Sequence, residues 1–234
     1  MKKNPVIILH GWGLHGGAYH QLIKLLTGKG HRVYAPDLPG FGSEPLVNKI
    51  MTLDDYVNFL HFFIKKHKIT SPVIIGHSFG GRVAIKYCWQ IPQEVSKLII
   101  TGVPVIRRDT IKMKLAYIMA VVGGLVLKTF PLKVQQAMRK LLYRLIGEWD
   151  YYRAGPLKQV FKNIISEQLI EYVKNLQVPV ILVWGREDRI TPCSDVEKIK
   201  RLIPGARSVI IPNTGHKLPY LNPGKFFEAI QIEL

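Results

Sequence analysis

Val73-Ile74-Ile75-Gly76-His77-Ser78-Phe79-Gly80-Gly81 is the stretch that decides the fold. A short apolar run enters a glycine-flanked serine, and a helix-compatible segment follows from Gly81 to Trp89. Strand, sharp turn and helix in that order put Ser78 at the apex. So tight a turn brings backbone close to the serine, which calls for small residues at Gly76 and Gly80. It also pushes the Ser78 hydroxyl out of the sheet, where a base can reach it.

Working outward, Val6-Ile7-Ile8-Leu9 is a continuous apolar run, the pattern of a parallel strand buried on both faces. Glycine-rich residues 10–17 follow, then a predicted helix from Tyr19 to Leu26 and a second strand from Arg32 to Ala35. Thr52 reads as the N-cap of a helix to Lys66, with Asp54 and Asp55 placed to suit its dipole. Further strands are expected at Lys97–Thr101, Val180–Trp184 and Ser208–Ile211, and a closing helix from Phe226 to Leu234. Strands alternating with helices predict a parallel α/β sheet. Only five residues precede Val6, too few for a further hairpin, so six parallel strands are expected, with Val6–Leu9 beside an edge at Arg32–Ala35.

A serine hydroxyl needs a base, and the base an orienting acid. Trp184-Gly185-Arg186-Glu187-Asp188 follows the fifth strand, and Thr214-Gly215-His216 the sixth. Asp188 and His216 therefore fall at the C-terminal ends of strands, where open α/β sheets place their sites. Glu187 and Asp195 are the alternatives to Asp188, which fits the loop position better. His10, His15, His20 and His77 compete with His216. Of these, His77 adjoins Ser78 and is aimed away by the turn, and the five-residue spacing of the others suits no common face. His10-Gly11-Trp12-Gly13 supplies a glycine-permitted turn after the first strand. The N–H groups of Trp12 and Phe79 are the expected oxyanion donors. Asp37, in Asp37-Leu38-Pro39-Gly40-Phe41-Gly42, reads as structural, its carboxylate accepting backbone N–H groups.

With those motifs in register, the chain resembles the α/β-hydrolase fold over nearly its whole length. The opening His10-Gly11-Trp12-Gly13-Leu14 is similar to that of pimeloyl-carrier-protein methyl esterases and of many general esterases. The resemblance implies an α/β-hydrolase fold with a Ser78, Asp188, His216 triad and no metal or organic cofactor. A serine rather than an aspartate at the turn implies acyl chemistry on an ester or thioester, not the chemistry of dehalogenases or epoxide hydrolases. A C–C bond hydrolase, a lyase or an acyltransferase on the same triad stays open, as does a non-catalytic small-ligand binding module. Lys217 stands where an apolar residue often follows the histidine, which puts a cation near the site.

The strand–helix alternation lapses between the fourth and fifth strands. Residues 104–177 are expected to form a helical lid inserted into a core domain of residues 1–103 and 178–234. Val134, Met138, Leu141, Leu142, Leu145 and Ile146 keep a helical period, as do Leu157, Val160, Phe161, Ile164 and Ile165. The formal net charge is +17. Between residues 107 and 144, Arg107, Arg108, Lys112, Lys114, Lys128, Lys133, Arg139, Lys140 and Arg144 face one acid, Asp109, around the apolar run Leu115–Leu127. That run is shorter than the roughly 20 residues of a membrane span. An anionic acyl carrier is one partner such a surface suits, peripheral membrane contact another, and a merely solvated basic surface the plain alternative. No helix-turn-helix, RNA-binding or zinc-finger pattern points to nucleic acid. Cys88 and Cys193 read as unpaired thiols. The N-terminal run is too short for a signal peptide. A cytoplasmic protein, monomeric or weakly dimeric, is expected.

Overall fold

The computed structural model describes residues 3–106, 131, 134 and 154–234. Its centre is a six-stranded parallel sheet: β1 (Val6–Leu9), β2 (Val33–Tyr34), β3 (Val73–His77), β4 (Lys97–Thr101), β5 (Val180–Gly185) and β6 (Arg207–Ile211). The spatial order is β2-β1-β3-β4-β5-β6, with β1 beside the β2 edge as expected. The chain therefore reverses direction across the sheet between β1 and β3, where the strand ends open a crevice. β2 keeps two residues of the expected four, because only Val6 and Ile7 pair with it.

Strand periodicity sorts the core into two layers. Ile7, Leu9, Ile74, Leu98, Ile100, Leu182 and Trp184 face one side. Against them pack α2 (Leu53–Lys66), α3 (Phe79–Gln90), α4 (Lys158–Ser166), α5 (Ile170–Lys174) and α6 (Ser194–Leu202). Val6, Ile8, Val73, Ile75, Ile99, Ile181 and Val183 face the other side. There they meet α1 (His20–Gly28), α7 (Leu218–Leu221) and α8 (Pro223–Ile230). The first helical turn differs from expectation: Gly16–Tyr19 is a 3₁₀ turn and the α-helix begins at His20. Thr52 caps α2 as expected, its N–H and hydroxyl donating to Asp55 Oδ2 at 2.7 and 2.8 Å.

Of the expected lid, residues 107–130, 132–133 and 135–153, with Leu115–Leu127 and the basic residues singled out above, lie outside the described residues. The returning part, α4 and α5, sits on the sheet domain. Val160, Ile164, Leu169 and Val173 are buried in the same cluster as α2 and α3. Two cations of α3 bind this segment. The buried Arg82 guanidinium donates to the carbonyls of Pro104 (2.8 Å), Ile164 (2.8 Å) and Glu167. Lys86 pairs with Glu167 at 2.6 Å and with Asp54 at 2.8 Å. Arg82 thus holds backbone on both sides of residues 107–153.

Asp37, in the loop after β2, has the structural place read from the sequence, with a longer reach. Its Oδ1 accepts Gly16 N–H at 2.7 Å, and its Oδ2 accepts the Ser43 N–H and hydroxyl at 2.7 and 2.9 Å. Burial raises the pKa of this carboxyl, but the donors from Ser43 and Gly16 outweigh it and hold the group below its ordinary value. A depressed folded-state pKa adds stability above the unfolded value, near 4, which is lost as pH falls through the folded value. Asp37→Asn is therefore expected to lower Tm at neutral pH by a deficit that narrows steadily under acid. Thermal melts of both proteins across that range check it, and a constant deficit would contradict it. Ile164→Ala is expected to cost about 2 to 5 kcal/mol in a single urea transition. A second, separate transition would show that α4 does not share the sheet domain's core.

Candidate active site

The turn after β3 forces Ser78 to φ 50°, ψ −111°, a region that non-glycine residues enter only when their surroundings hold them there. Ser78 N–H donates to Thr101 C=O at 3.0 Å, while the Gly81 and Arg82 N–H groups donate to Ser78 C=O. Gly80 has no room for a side chain: a Cβ there would lie 2.3 Å from Leu9 O. Its N–H donates to His10 C=O at 3.0 Å, which ties the turn to the loop after β1. The helix begins at Phe79, two residues before the sequence suggested, because the turn itself supplies its first turn.

Asp188 and His216 meet. His216 Nδ1–H donates to Asp188 Oδ2 at 2.9 Å. The carboxylate is buried and fully used: Ile190 and Thr191 N–H donate to Oδ1 (2.9 and 2.8 Å), and the Thr191 hydroxyl to Oδ2 (2.7 Å). Burial raises the Asp188 pKa, but the His216 hydrogen bond and charge, joined by Thr191, reverse this and hold it below the usual carboxylate range. The loop is pinned in turn by Trp184 Nε1–H, which donates to Thr191 C=O at 2.7 Å. Of the two alternatives, Glu187 is exposed and accepts Thr214 N–H at 2.8 Å, and Asp195 lies in the first turn of α6.

His216 is backed by Gly102, one residue past β4, at φ 61°. A Cβ on Gly102 would stand 2.9 Å from both Cε1 and Nδ1 of His216 and 3.5 Å from Asp188 Oδ2. Side-chain-free backbone is therefore what the imidazole leans on. Ser78 comes to the same end of the sheet. Its hydroxyl makes no hydrogen bond to His216 among the described residues, a looseness common in unliganded sites.

The two expected oxyanion donors, Trp12 N–H and Phe79 N–H, have no acceptor among the described residues. Gly11 lies across from Ser78, a Cβ built on it falling 3.5 Å from Ser78 Cβ. The direction of Trp12 N–H follows from His10. His10 is fully buried, Leu38 N–H donates to its Nε2 (2.9 Å), and its Nδ1–H therefore donates to Gly11 C=O (2.9 Å). In a trans peptide the carbonyl and the next N–H point opposite ways. Holding Gly11 C=O on His10 thus turns Trp12 N–H away from it. Burial keeps His10 in its neutral form, its pKa lowered. The Trp12 ring is walled by Phe41, Phe79 and Phe161, with centroids at 4.9, 5.4 and 4.9 Å. Phe161, from α4, brings the inserted segment against this apolar wall.

Residues the sequence did not single out are Thr191, Gly102 and Tyr19. Thr191, three residues past Asp188, carries a readable Asx-type spacing. Gly102 and Tyr19 act by through-space approach and leave no local signal. Lys217 is exposed at the start of α7. Cys88 is buried and Cys193 partly exposed, both as free thiols. Among the described residues no three His, Cys, Asp or Glu side chains are grouped to hold a metal ion. Among them too, no helix is long and apolar enough to cross a membrane.

Residues 4–223 match the family model described as the alpha/beta hydrolase fold. The chain is 25% identical to a pimeloyl-[acyl-carrier protein] methyl ester esterase of Aeromonas hydrophila, covering 97% of this chain and 93% of that one. It is 23% identical to a human monoacylglycerol lipase, over 97% and 74% of the two chains. Among solved structures, a thermophilic esterase from Thermogutta terrifontis superposes with a TM-score of 0.75 at 20% identity, over 99% of this chain and 89% of that one. The match spans the sheet, the turn at Ser78 and the loop of Asp188, and the chain belongs to the α/β hydrolase fold family.

Proposed function

We propose that the chain hydrolyses a carboxylic ester or thioester through an acyl-enzyme on Ser78. The observation that carries this reading is the 2.9 Å Asp188–His216 pair at the same sheet end as a serine held at φ 50°. Ser78 Oγ attacks the acyl carbon as His216 Nε2 takes its proton. Asp188 holds the imidazole with Nδ1 protonated and steadies the imidazolium that forms. Trp12 N–H and Phe79 N–H receive the oxyanion, at about 3 kcal/mol of transition-state stabilisation each. Collapse of the tetrahedral intermediate breaks the bond to the leaving oxygen or sulfur, which takes the proton from His216. Water then attacks the acyl-enzyme, giving a proton to His216, which passes it to the departing Ser78 Oγ as the acid is released.

The aromatic wall of Trp12, Phe41 and Phe161 supports an apolar acyl chain lying beside the nucleophile. Residues 104–177 complete this side as a lid, held by Arg82 where its ends meet the core. The net charge of +17 favours, within the same chemistry, an acyl group borne on an anionic carrier. The named substrate of the Aeromonas relative is of that kind.

Ser78→Ala is expected to lower p-nitrophenyl ester turnover by about four to six orders of magnitude while melting stays unchanged. It should also abolish labelling by a fluorophosphonate probe. Retained labelling would move the nucleophile elsewhere, and a wild-type chain that neither labels nor turns over would favour a binding module. The carrier reading predicts a salt effect: kcat/KM on an acyl-carrier ester should fall with added salt, and that on a neutral ester should not. Equal responses would reduce the basic charge to a solvated surface.

A further inference from the structure

Behind the site lies a buried pair that the reaction itself does not use. Gly11 N–H donates to the Tyr19 hydroxyl at 3.1 Å. The hydroxyl lies 2.7 Å from His77 Nδ1, and His77 Nε2 lies 2.9 Å from His216 C=O. The proton positions follow from chemistry alone. A carbonyl only accepts, so His77 Nε2 carries the proton. A neutral imidazole then has a bare Nδ1, which accepts the Tyr19 O–H, leaving Tyr19 oxygen free to accept from Gly11. Each polar atom of the relay from Gly11 N–H to His216 C=O then has a partner, and all the hydrogen bonds run in one direction. Tyr19 and His77 are both buried, 1% and 2% exposed. Burial, with His216 nearby, lowers the His77 pKa to about 3, so the ring is neutral around neutral pH. The Tyr220 ring covers both, with centroids at 5.8 Å from each.

We propose that Tyr19 and His77 are positioning residues, a fixed relay that sets the oxyanion loop and the His216 loop at one mutual distance. At one end it grips the N–H of Gly11, whose carbonyl is gripped by His10, so Gly11 is held at both its N–H and its C=O, the latter in the peptide that carries Trp12 N–H. At the other it holds the backbone of His216, whose ring is held by Asp188. His77 is itself joined to Ser78 by one peptide bond. The three parts of the apparatus come from loops after β1, β3 and β6, and this pair is where they share polar contacts away from solvent. The role rests on the hydrolase reading above. Its consequence is distinct: the loss of one oxygen atom remote from substrate should impair the chemical step rather than binding.

The experiment compares Tyr19→Phe, His77→Ala and His77→Gln with the wild type in the intact chain. It follows kcat and KM on a neutral p-nitrophenyl ester, Tm, and the backbone-amide and histidine-ring nitrogen shifts of the uniformly ¹⁵N-labelled chain. Tyr19→Phe is expected to lower kcat on the order of 10²-fold, the scale of a small displacement of reacting groups, with KM little changed. His77→Gln, which keeps a donor near the Nε2 position, should recover part of the loss seen in His77→Ala. A fall in Tm with kcat intact in Tyr19→Phe would overturn the proposal and leave the pair a packing element. Should the His77 variants not fold, Tyr19→Phe decides alone, since it removes only the hydroxyl. Should the wild type show neither turnover nor probe labelling, the hydrolase reading fails and the spectra still decide the relay. They must then show His77 protonated on Nε2 and bare at Nδ1, with the Trp12 amide and His216 ring shifting in Tyr19→Phe. A His77 protonated on Nδ1, or an unresponsive Trp12 and His216, would overturn it.

Discussion

The turn at Ser78 is the constraint on which the rest of the structure depends. A residue with a side chain at φ 50°, ψ −111° costs on the order of 1–3 kcal/mol and relaxes unless its neighbours forbid it. Here they do so from three sides. Thr101 C=O on β4 takes the Ser78 N–H, His10 C=O beyond β1 takes the Gly80 N–H, and the first turn of α3 closes on Ser78 C=O. Because β1 and β4 are the strands flanking β3, the strain is set against ladders buried on both faces. The apex cannot relax without unpairing the centre of the sheet.

The site's buried ionisable groups are each fixed in one protonation state by a specific partner set. His10 and His77 are both neutral and are opposite tautomers. His10 carries its proton on Nδ1 because Leu38 N–H occupies Nε2, and His77 on Nε2 because a carbonyl faces it. Asp188 is ionised, with four hydrogen bonds to its two oxygens. Leaving any of these groups unpaired away from water would cost more than the bond itself contributes. In the proposed reaction the charge changes would then fall on His216, the less buried member of the pair with Asp188.

What was legible in the sequence was what repeats locally. The apolar runs of β1, β3, β4 and β5 read as buried parallel strands because they are covered on both faces. Asp188 and His216, which the structure pairs, read as loop residues beyond the ends of the fifth and sixth strands, and Ser78 as the turn after the third. β2 read too long, since its extent is set by how much of β1 it can pair with, not by its own residues. Gly102 and Tyr19 were invisible for a related reason. Nothing near Gly102 in the chain announces that an imidazole from 114 positions later, His216 against Gly102, will rest on its backbone. Nothing in a helix-compatible Tyr19 announces a partner 58 residues on. The net charge was plain in the composition, but composition carries no position.

The most demanding contact outside the site is Arg82, and it explains why α4 and the turn at Ser78 are held together. Its charge is buried, no carboxylate among the described residues bonds it directly, and burial lowers its pKa to about 10, still far above neutrality. Three carbonyl oxygens and the nearby charge of Glu167 compensate it. Each carbonyl in turn relies on it, because hydrogen bonds to a charged donor contribute about 1.5–3 kcal/mol and their loss strands buried acceptors. Arg82 N–H also bonds Ser78 C=O, so the residue that holds the Pro104, Ile164 and Glu167 carbonyls also closes the first turn after the serine. Lys86, one turn further, repeats the grip through Glu167 and Asp54. One face of α3 therefore transmits the position of the turn to the segment that brings Phe161 against Trp12. Of the apolar wall beside Ser78, that helix supplies Phe79 and helps place Phe161, while Trp12 and Phe41 come from the loops after β1 and β2.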